Sequence, residues 1–138
     1  MKCELLEDWS LAAIAFLEVA GLRSDFAEMQ RNTIRAHAGK PRQLLEIAAG
    51  LSEDIADVSD EVAQLADDAL IERYGFGISH FLDARTRRVM GALVENRIRN
   101  ERQHRDILDM LADTTLEPGM RSKLESLMAT HMGGELEN

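Results

Sequence analysis

Apolar residues recur every three or four positions along most of this chain, and no stretch alternates apolar and polar positions as a half-buried strand would. Proline occurs only at Pro41 and Pro118, and alanine and leucine, which favour helix, are abundant. The pattern therefore predicts an all-α protein, with a single domain over residues 1–138 folded as a helical bundle of about five helices. A chain of this length can bury about two-thirds of the surface that it exposes when unfolded.

The most apolar segment predicts a first helix over residues 4–20, which ends at Gly21 and should be the most buried element. Glu18 interrupts this segment, which is also shorter than the ~20 apolar residues that a membrane span needs, so we expect no membrane helix. Acids occupy the chain start where a secretory leader would be basic. The one cysteine, Cys3, can form no internal disulfide, so the chain fits a reducing compartment or does not depend on redox state. Since we expect neither a membrane helix nor a secretory leader, we predict a cytoplasmic protein.

Charge is sorted into two blocks along the chain. Residues 44–72 carry nine acids and no base, whereas residues 85–105 carry seven arginines and two acids. Such blocks form solvated faces, complementary faces of two neighbouring helices, or a partner site. The net charge of −9 argues against a protein that coats DNA or RNA, because phosphate binding depends on clustered Lys and Arg. We therefore do not expect this chain to bind nucleic acid directly, with the arginine-rich block left open as a local exception. We expect the acidic block to contact another protein.

The acidic block is predicted to form a helix that begins at Ser52, after a short helical segment over 41–49. The apolar positions of this helix repeat at spacings of three and four: Ile55, Val58, Val62, Leu65 and Ala69. If these positions face the core, the acids all point outward. The outward face should bind a partner with a basic surface. Its expected contact residues are Asp54, Asp57, Asp60, Glu61, Asp67 and Asp68.

The arginine-rich block is predicted to lie on one long helix near 79–113, capped by Ser79. Such a helix would be roughly 50 Å long at 1.5 Å per residue, so it must bend, with Gly91 as a candidate point, or project into a dimer. The middle of its apolar seam is polar at Asn96, Asn100 and His104. A polar layer of this kind sets the register of a bundle, forms a functional site, or leaves the core.

One local motif suggests an enzyme. The segment Arg99-Asn-Glu-Arg-Gln-His104 resembles the Arg-Asn-x-x-x-His motif of HEPN-type ribonucleases. By that resemblance Arg99 and His104 would lie at a cleavage site built across a dimer. An imidazole can move the proton of a 2′-hydroxyl while a guanidinium holds the phosphate. The tyrosine that one branch of the family has two places after the histidine is Asp106 here.

A second motif suggests a metal site. Glu101 and His104 have the Glu-x-x-His spacing that resembles the ligand pairs of ferritin-like di-iron bundles. Such bundles use two of these pairs and two further glutamates, and this chain offers one pair, so a symmetric dimer would have to supply the rest. Arg97 and Arg105 lie four residues on either side of Glu101, which favours helical ion pairs instead.

Taken together, the sequence favours a non-enzymatic, acidic, helical binding module that recognises a macromolecular partner through charge and an apolar groove. Proteins of this composition are similar in type to inhibitors, immunity proteins or antitoxins, anti-defence proteins and secretion chaperones. We expect a homodimer and no cofactor. The ribonuclease hypothesis with Arg99 and His104, and the metal-binding hypothesis with Glu101 and His104, stand as alternatives.

Overall fold

The computed structural model describes residues 1–131 in full and, for residues 132–137, only their place in the last helix. Helix is the only regular structure over this range, which confirms the all-α prediction but not the count of about five helices. Eight helices follow one another along the described chain: α1 (Cys3–Val19), α2 (Ser24–Ala36), α3 (Pro41–Val58), α4 (Asp60–Tyr74), α5 (Ser79–Leu82), α6 (Ala84–Glu95), α7 (Glu101–Ala112) and α8 (Pro118–Glu137).

α1 packs against α2, α3 and α4, and α3 in turn packs against α4, α5 and α6. The α1 side chains Leu6, Ala13 and Ile14 are inaccessible to solvent, as expected for core-facing positions of an apolar helix. Trp9 is buried as well, and its indole Nε1 donates a hydrogen bond of 2.9 Å to the backbone carbonyl of Phe76. The predicted first helix corresponds to α1 within one residue at each end, and six of its side chains are buried.

The predicted division between the short helical segment at 41–49 and the acidic helix is wrong. α3 runs without a break through Gly50, and Ser52 lies inside it, where its hydroxyl donates to the Ala48 carbonyl at 2.8 Å. The helix ends instead at Ser59, whose backbone is extended and whose Oγ accepts a hydrogen bond of 3.1 Å from the Val62 amide. Ser59 therefore begins α4 as its N-cap and places a corner within the acidic block.

The single long helix predicted near 79–113 is also wrong, since the chain forms α5, α6 and α7 over this range. Asp83 ends α5 and caps α6, because its carboxylate accepts from the Thr86 amide at 2.9 Å. Asn96 has a left-handed backbone with φ of 53°, which ends α6. Asn100 then caps α7 by accepting from the Gln103 amide at 2.9 Å. The two asparagines of the expected polar layer are helix caps rather than seam residues.

Candidate functional site

The end of α3 and the start of α4 bring four acids to one exposed corner. Asp54 and Asp57 lie in the last two turns of α3, and Asp60 and Glu61 lie in the first turn of α4. All four side chains are exposed, as the sequence predicted. We call these four residues the acidic corner.

The acidic corner is not neutralised by the rest of the chain. None of its four carboxylates has an ion-pair partner among the side chains that the structure describes. α3 has no basic residue in its last turn, where the helix dipole already carries partial negative charge. Partial burial, and then the charges of Asp57 and Glu53, raise the pKa of the Asp54 carboxyl above its ordinary value. The folded chain therefore holds this charge at a cost in free energy.

The two charge blocks do not serve as complementary faces of neighbouring helices. Within the described residues, one ion pair joins them, between Arg87 and Glu53 at 3.2 Å. The other paired arginines of the basic block use acids outside residues 44–72: Arg88 with Asp106, Arg99 with Glu95, and Arg85 with Asp109. The acidic corner therefore keeps its charge for solvent or for a partner.

Two aliphatic side chains are exposed beside these acids. Val58 follows Asp57 at the end of α3 and is 43% exposed, and Leu65 on α4 is 66% exposed. Leu65 lies four residues after Glu61 and three before Asp68, so the three side chains share one face of α4. The expected inward orientation of Val58 and Leu65 is wrong, because the helix breaks at Ser59 and α4 buries Ala66 and Leu70 instead.

The structure separates Asp67 from the other predicted contact residues. Asp67 is half-buried, and its Oδ1 accepts hydrogen bonds from the Ser79 amide at 3.0 Å and the Ser79 hydroxyl at 2.9 Å. A Cβ atom on Gly77 would lie 2.8 Å from the Asp67 backbone oxygen, so the segment before α5 passes very close to this part of α4. Asp68 is exposed and accepts from Gln64 at 2.8 Å. Asp67 thus fixes the link from α4 to α5.

The residues of the ribonuclease resemblance do come together. Arg99, Asn100, Glu101 and His104 line one cavity of about 310 Å³, together with His131 from α8. The His104 and His131 rings lie 5.6 Å apart between their centroids. No local spacing in the sequence links His131 to His104, because it lies 27 residues further along the chain.

The polar groups of this cavity are already engaged in ways that the motif did not predict. The Arg99 guanidinium pairs with Glu95, with 2.7 Å between Nε and Oε2, and the Asn100 side chain caps α7. Asp106, two places after His104, is buried and faces Arg88 at 2.8 Å. The cavity is therefore lined by the imidazoles of His104 and His131 and by one edge of the Arg99 guanidinium. Glu95 holds that guanidinium through an ion pair.

The described side chains of one copy of the chain do not supply a full set of metal ligands. Among the described side chains, no group of three or more His, Cys, Asp and Glu residues lies close enough to hold a metal ion. Glu101 and His104 lie one turn apart at the start of α7 and line the same cavity. A second copy of the chain would have to supply the further ligands that the ferritin-like resemblance implies.

None of the helices in the described part of the chain has both the length and the apolar character that crossing a membrane demands. Comparison with known proteins returns no matching family model, no matching curated protein and no matching solved structure.

Proposed function

We propose that this chain is a non-enzymatic binding module whose acidic corner binds a basic surface of another protein. One observation carries the proposal: four exposed carboxylates are gathered at the α3–α4 corner with no ion-pair partner among the described side chains. Elsewhere in the fold, many acids pair with arginines within the chain. A concentrated charge of one sign speeds and orients association with a partner of opposite charge.

The free-energy cost of the acidic corner supports the same proposal. Asp57 lies at the negative end of the α3 dipole, and the raised pKa of Asp54 reflects partial burial and crowding by Asp57 and Glu53. A basic partner would relieve both repulsions, so part of the cost in the free chain returns as binding free energy. Val58 and Leu65 add exposed apolar surface at the same corner, which a partner can bury.

The partner that fits this corner has clustered Lys and Arg side chains beside a shallow apolar pocket. Surfaces of that kind include the nucleic-acid sites of other proteins. An acidic module placed on such a site would act as an inhibitor, an immunity protein or antitoxin, an anti-defence protein or a chaperone. The assignment to the cytoplasm and to a homodimer belongs to this proposal.

The experiment compares three forms of the protein as bait in lysate of the source cells. The corner variant carries Asp57→Lys and Asp60→Lys, and the control variant carries Glu72→Lys and Glu125→Lys. Glu72 and Glu125 are exposed and have no ion-pair partner among the described side chains, so both variants change the net charge equally. Wild type and control should retain one stoichiometric protein that the corner variant loses. Equal retention by all three forms would overturn the proposal.

A second candidate function rests on the cavity that Arg99 and His104 share with His131. If this cavity cleaves RNA, the His104 imidazole would accept the 2′-hydroxyl proton and Arg99 would hold the phosphate. His104→Ala and Arg99→Ala should then abolish cleavage of a single-stranded RNA, whereas the corner variant should cleave normally. Cleavage that persists in His104→Ala would eliminate this candidate.

A further inference from the structure

A second cleft, which shares Arg99 with the cavity beside His104, lies where α3, α6 and α7 meet. Arg42 comes from α3, Arg87 and Arg88 from α6, and Arg99 from the turn before α7, and together they border a cavity of about 380 Å³. Leu45 and Gly91 also line this cavity, together with the four arginines. We call this cavity the arginine groove. Its volume is in the range that small ligands occupy.

Among the described side chains, each of the four arginines has hydrogen-bond donors that no protein acceptor uses. Arg42 and Arg88 each use only Nε, toward Glu95 at 3.1 Å and Asp106 at 2.8 Å respectively. Arg87 uses Nε and one terminal nitrogen, and Arg99 likewise. In the part of the chain with described side chains, every one of the four guanidiniums therefore has at least one terminal nitrogen with no hydrogen-bonded protein acceptor. These groups can donate to an anion without giving up their present partners.

The acids around the groove orient the arginines rather than cancel them. Glu95 is the one carboxylate in the groove lining, and it holds Arg42 and Arg99 toward each other from a side chain that is only 17% exposed. Asp106 fixes Arg88 from a buried position, and Glu53 pairs with Arg87 from outside the groove. Guanidiniums held in this way lose little conformational freedom when they bind a ligand.

Gly91 adds an independent observation. It lies in the middle of α6, where glycine is less stable than alanine, and its backbone φ is not positive. A Cβ atom there would contact Leu45 Cδ2 at 3.5 Å, which is an ordinary van der Waals distance. Neither backbone conformation nor packing therefore demands glycine. What glycine preserves at this position is open space in the groove.

We propose that the arginine groove binds a small organic phosphate that carries a flat ring, the chemistry of a mononucleotide. The terminal guanidinium nitrogens would hold the phosphate oxygens, since the planar fork of Arg matches phosphate geometry. The ring would lie over Leu45 and Gly91, where arginine side chains can also stack on it. The groove and the acidic corner use different residues, so this binding does not depend on the function proposed for the corner.

The test is titration calorimetry of the full chain with AMP, GMP, CMP and UMP, with adenosine and inorganic phosphate as the two partial ligands. Two variants block the groove. Gly91→Leu fills it, and its control is Gly50→Leu, since Gly50 is also helical and a Cβ there meets nothing within 4 Å. Arg42→Ala removes one of the four guanidiniums, and the Arg42 side chain is 66% exposed. Its control is Arg102→Ala, which makes the same charge change outside the groove.

At least one mononucleotide should bind about tenfold or more tightly than either partial ligand, and Gly91→Leu and Arg42→Ala should each weaken it about tenfold. The Gly50→Leu, Arg102→Ala and corner variants should bind as the wild type does. If Gly91→Leu fails to fold, Arg42→Ala still decides the matter. The proposal is overturned if no mononucleotide binds at about 1 mM, if inorganic phosphate binds equally well, or if the groove variants match their controls.

Discussion

Replacing Asp67 by Ala should destabilise the fold without touching the acidic corner. The variant loses two hydrogen bonds to an ionised acceptor, from the Ser79 amide at 3.0 Å and the Ser79 hydroxyl at 2.9 Å. Buried bonds to charged groups contribute about 1.5–3 kcal/mol each, and because Asp67 is only half-buried we expect a total loss of about 2 kcal/mol. For a chain of this size, that corresponds to a melting temperature lower by about 8 °C.

Asp68→Ala is the matched control, because Asp68 is the next residue in α4, has the same charge, and is exposed. Its one hydrogen bond, from Gln64 four residues earlier, should contribute less than about 0.5 kcal/mol. Thermal unfolding followed by circular dichroism, with urea unfolding at neutral pH, measures both variants. Equal melting temperatures for Asp67→Ala and Asp68→Ala would refute the structural role of Asp67.

Four further variants test the corner and the core. Asp57→Asn should raise the free energy of unfolding by about 0.3–1 kcal/mol, because it removes a negative charge at the end of α3. Asp60→Asn, at the start of α4, should lower the free energy of unfolding. If urea unfolding shows that both variants change this free energy in the same direction, the dipole argument is contradicted. Ser59→Ala should cost about 1 kcal/mol through loss of the α4 cap, and no change would show that the cap is unimportant. Burial lowers the pKa of His80 below its ordinary 6.5, although the nearby carboxylates of Glu117 and Asp67 oppose this shift. The folded state therefore disfavours the protonated imidazole, and stability should fall as the pH drops below about 6.5. A His80→Gln variant with the same pH dependence as the wild type would refute this.

The sequence was sufficient to predict the helices whose apolar residues form continuous stripes. In α1, Leu6, Ala13, Ile14 and Leu17 follow helical spacing and all are buried. Here one periodicity runs from the first residue of the helix to the last buried position, so no tertiary contact was needed to interpret it.

Helix breaks were much harder to predict, because the residues that cause them also occur inside helices. Ser59, Asp83 and Asn100 each begin the following helix by accepting a hydrogen bond from a backbone amide three residues ahead. The helical spacing of the seam positions continues across these breaks, although the seam is polar at Asn96, Asn100 and His104, which is why 79–113 suggested one helix. Asn96 shows the same limit, since asparagine adopts the left-handed backbone that ends α6 but also occurs inside helices.

The candidate sites were predictable to different degrees. The exposure of Asp54, Asp57, Asp60 and Glu61 followed from their charge, and the structure adds that they remain unpaired within the described chain. The bond between Asp67 and Ser79 joins residues twelve positions apart across a turn, a separation that no helical pattern encodes. The arginine groove depends on three helices meeting, so it could be recognised only in the folded chain.

We propose the acidic corner as the partner-binding surface of this chain. The most direct test of this proposal is the dissociation constant of the captured partner for the wild type, the corner variant and the control variant, measured side by side at a salt concentration of about 0.15 M. Two charge reversals at a binding surface should weaken the complex about 100-fold or more, whereas the control variant should stay within about threefold of the wild type. If both variants lose affinity to the same extent, binding reflects net charge alone, and the acidic corner is not the site.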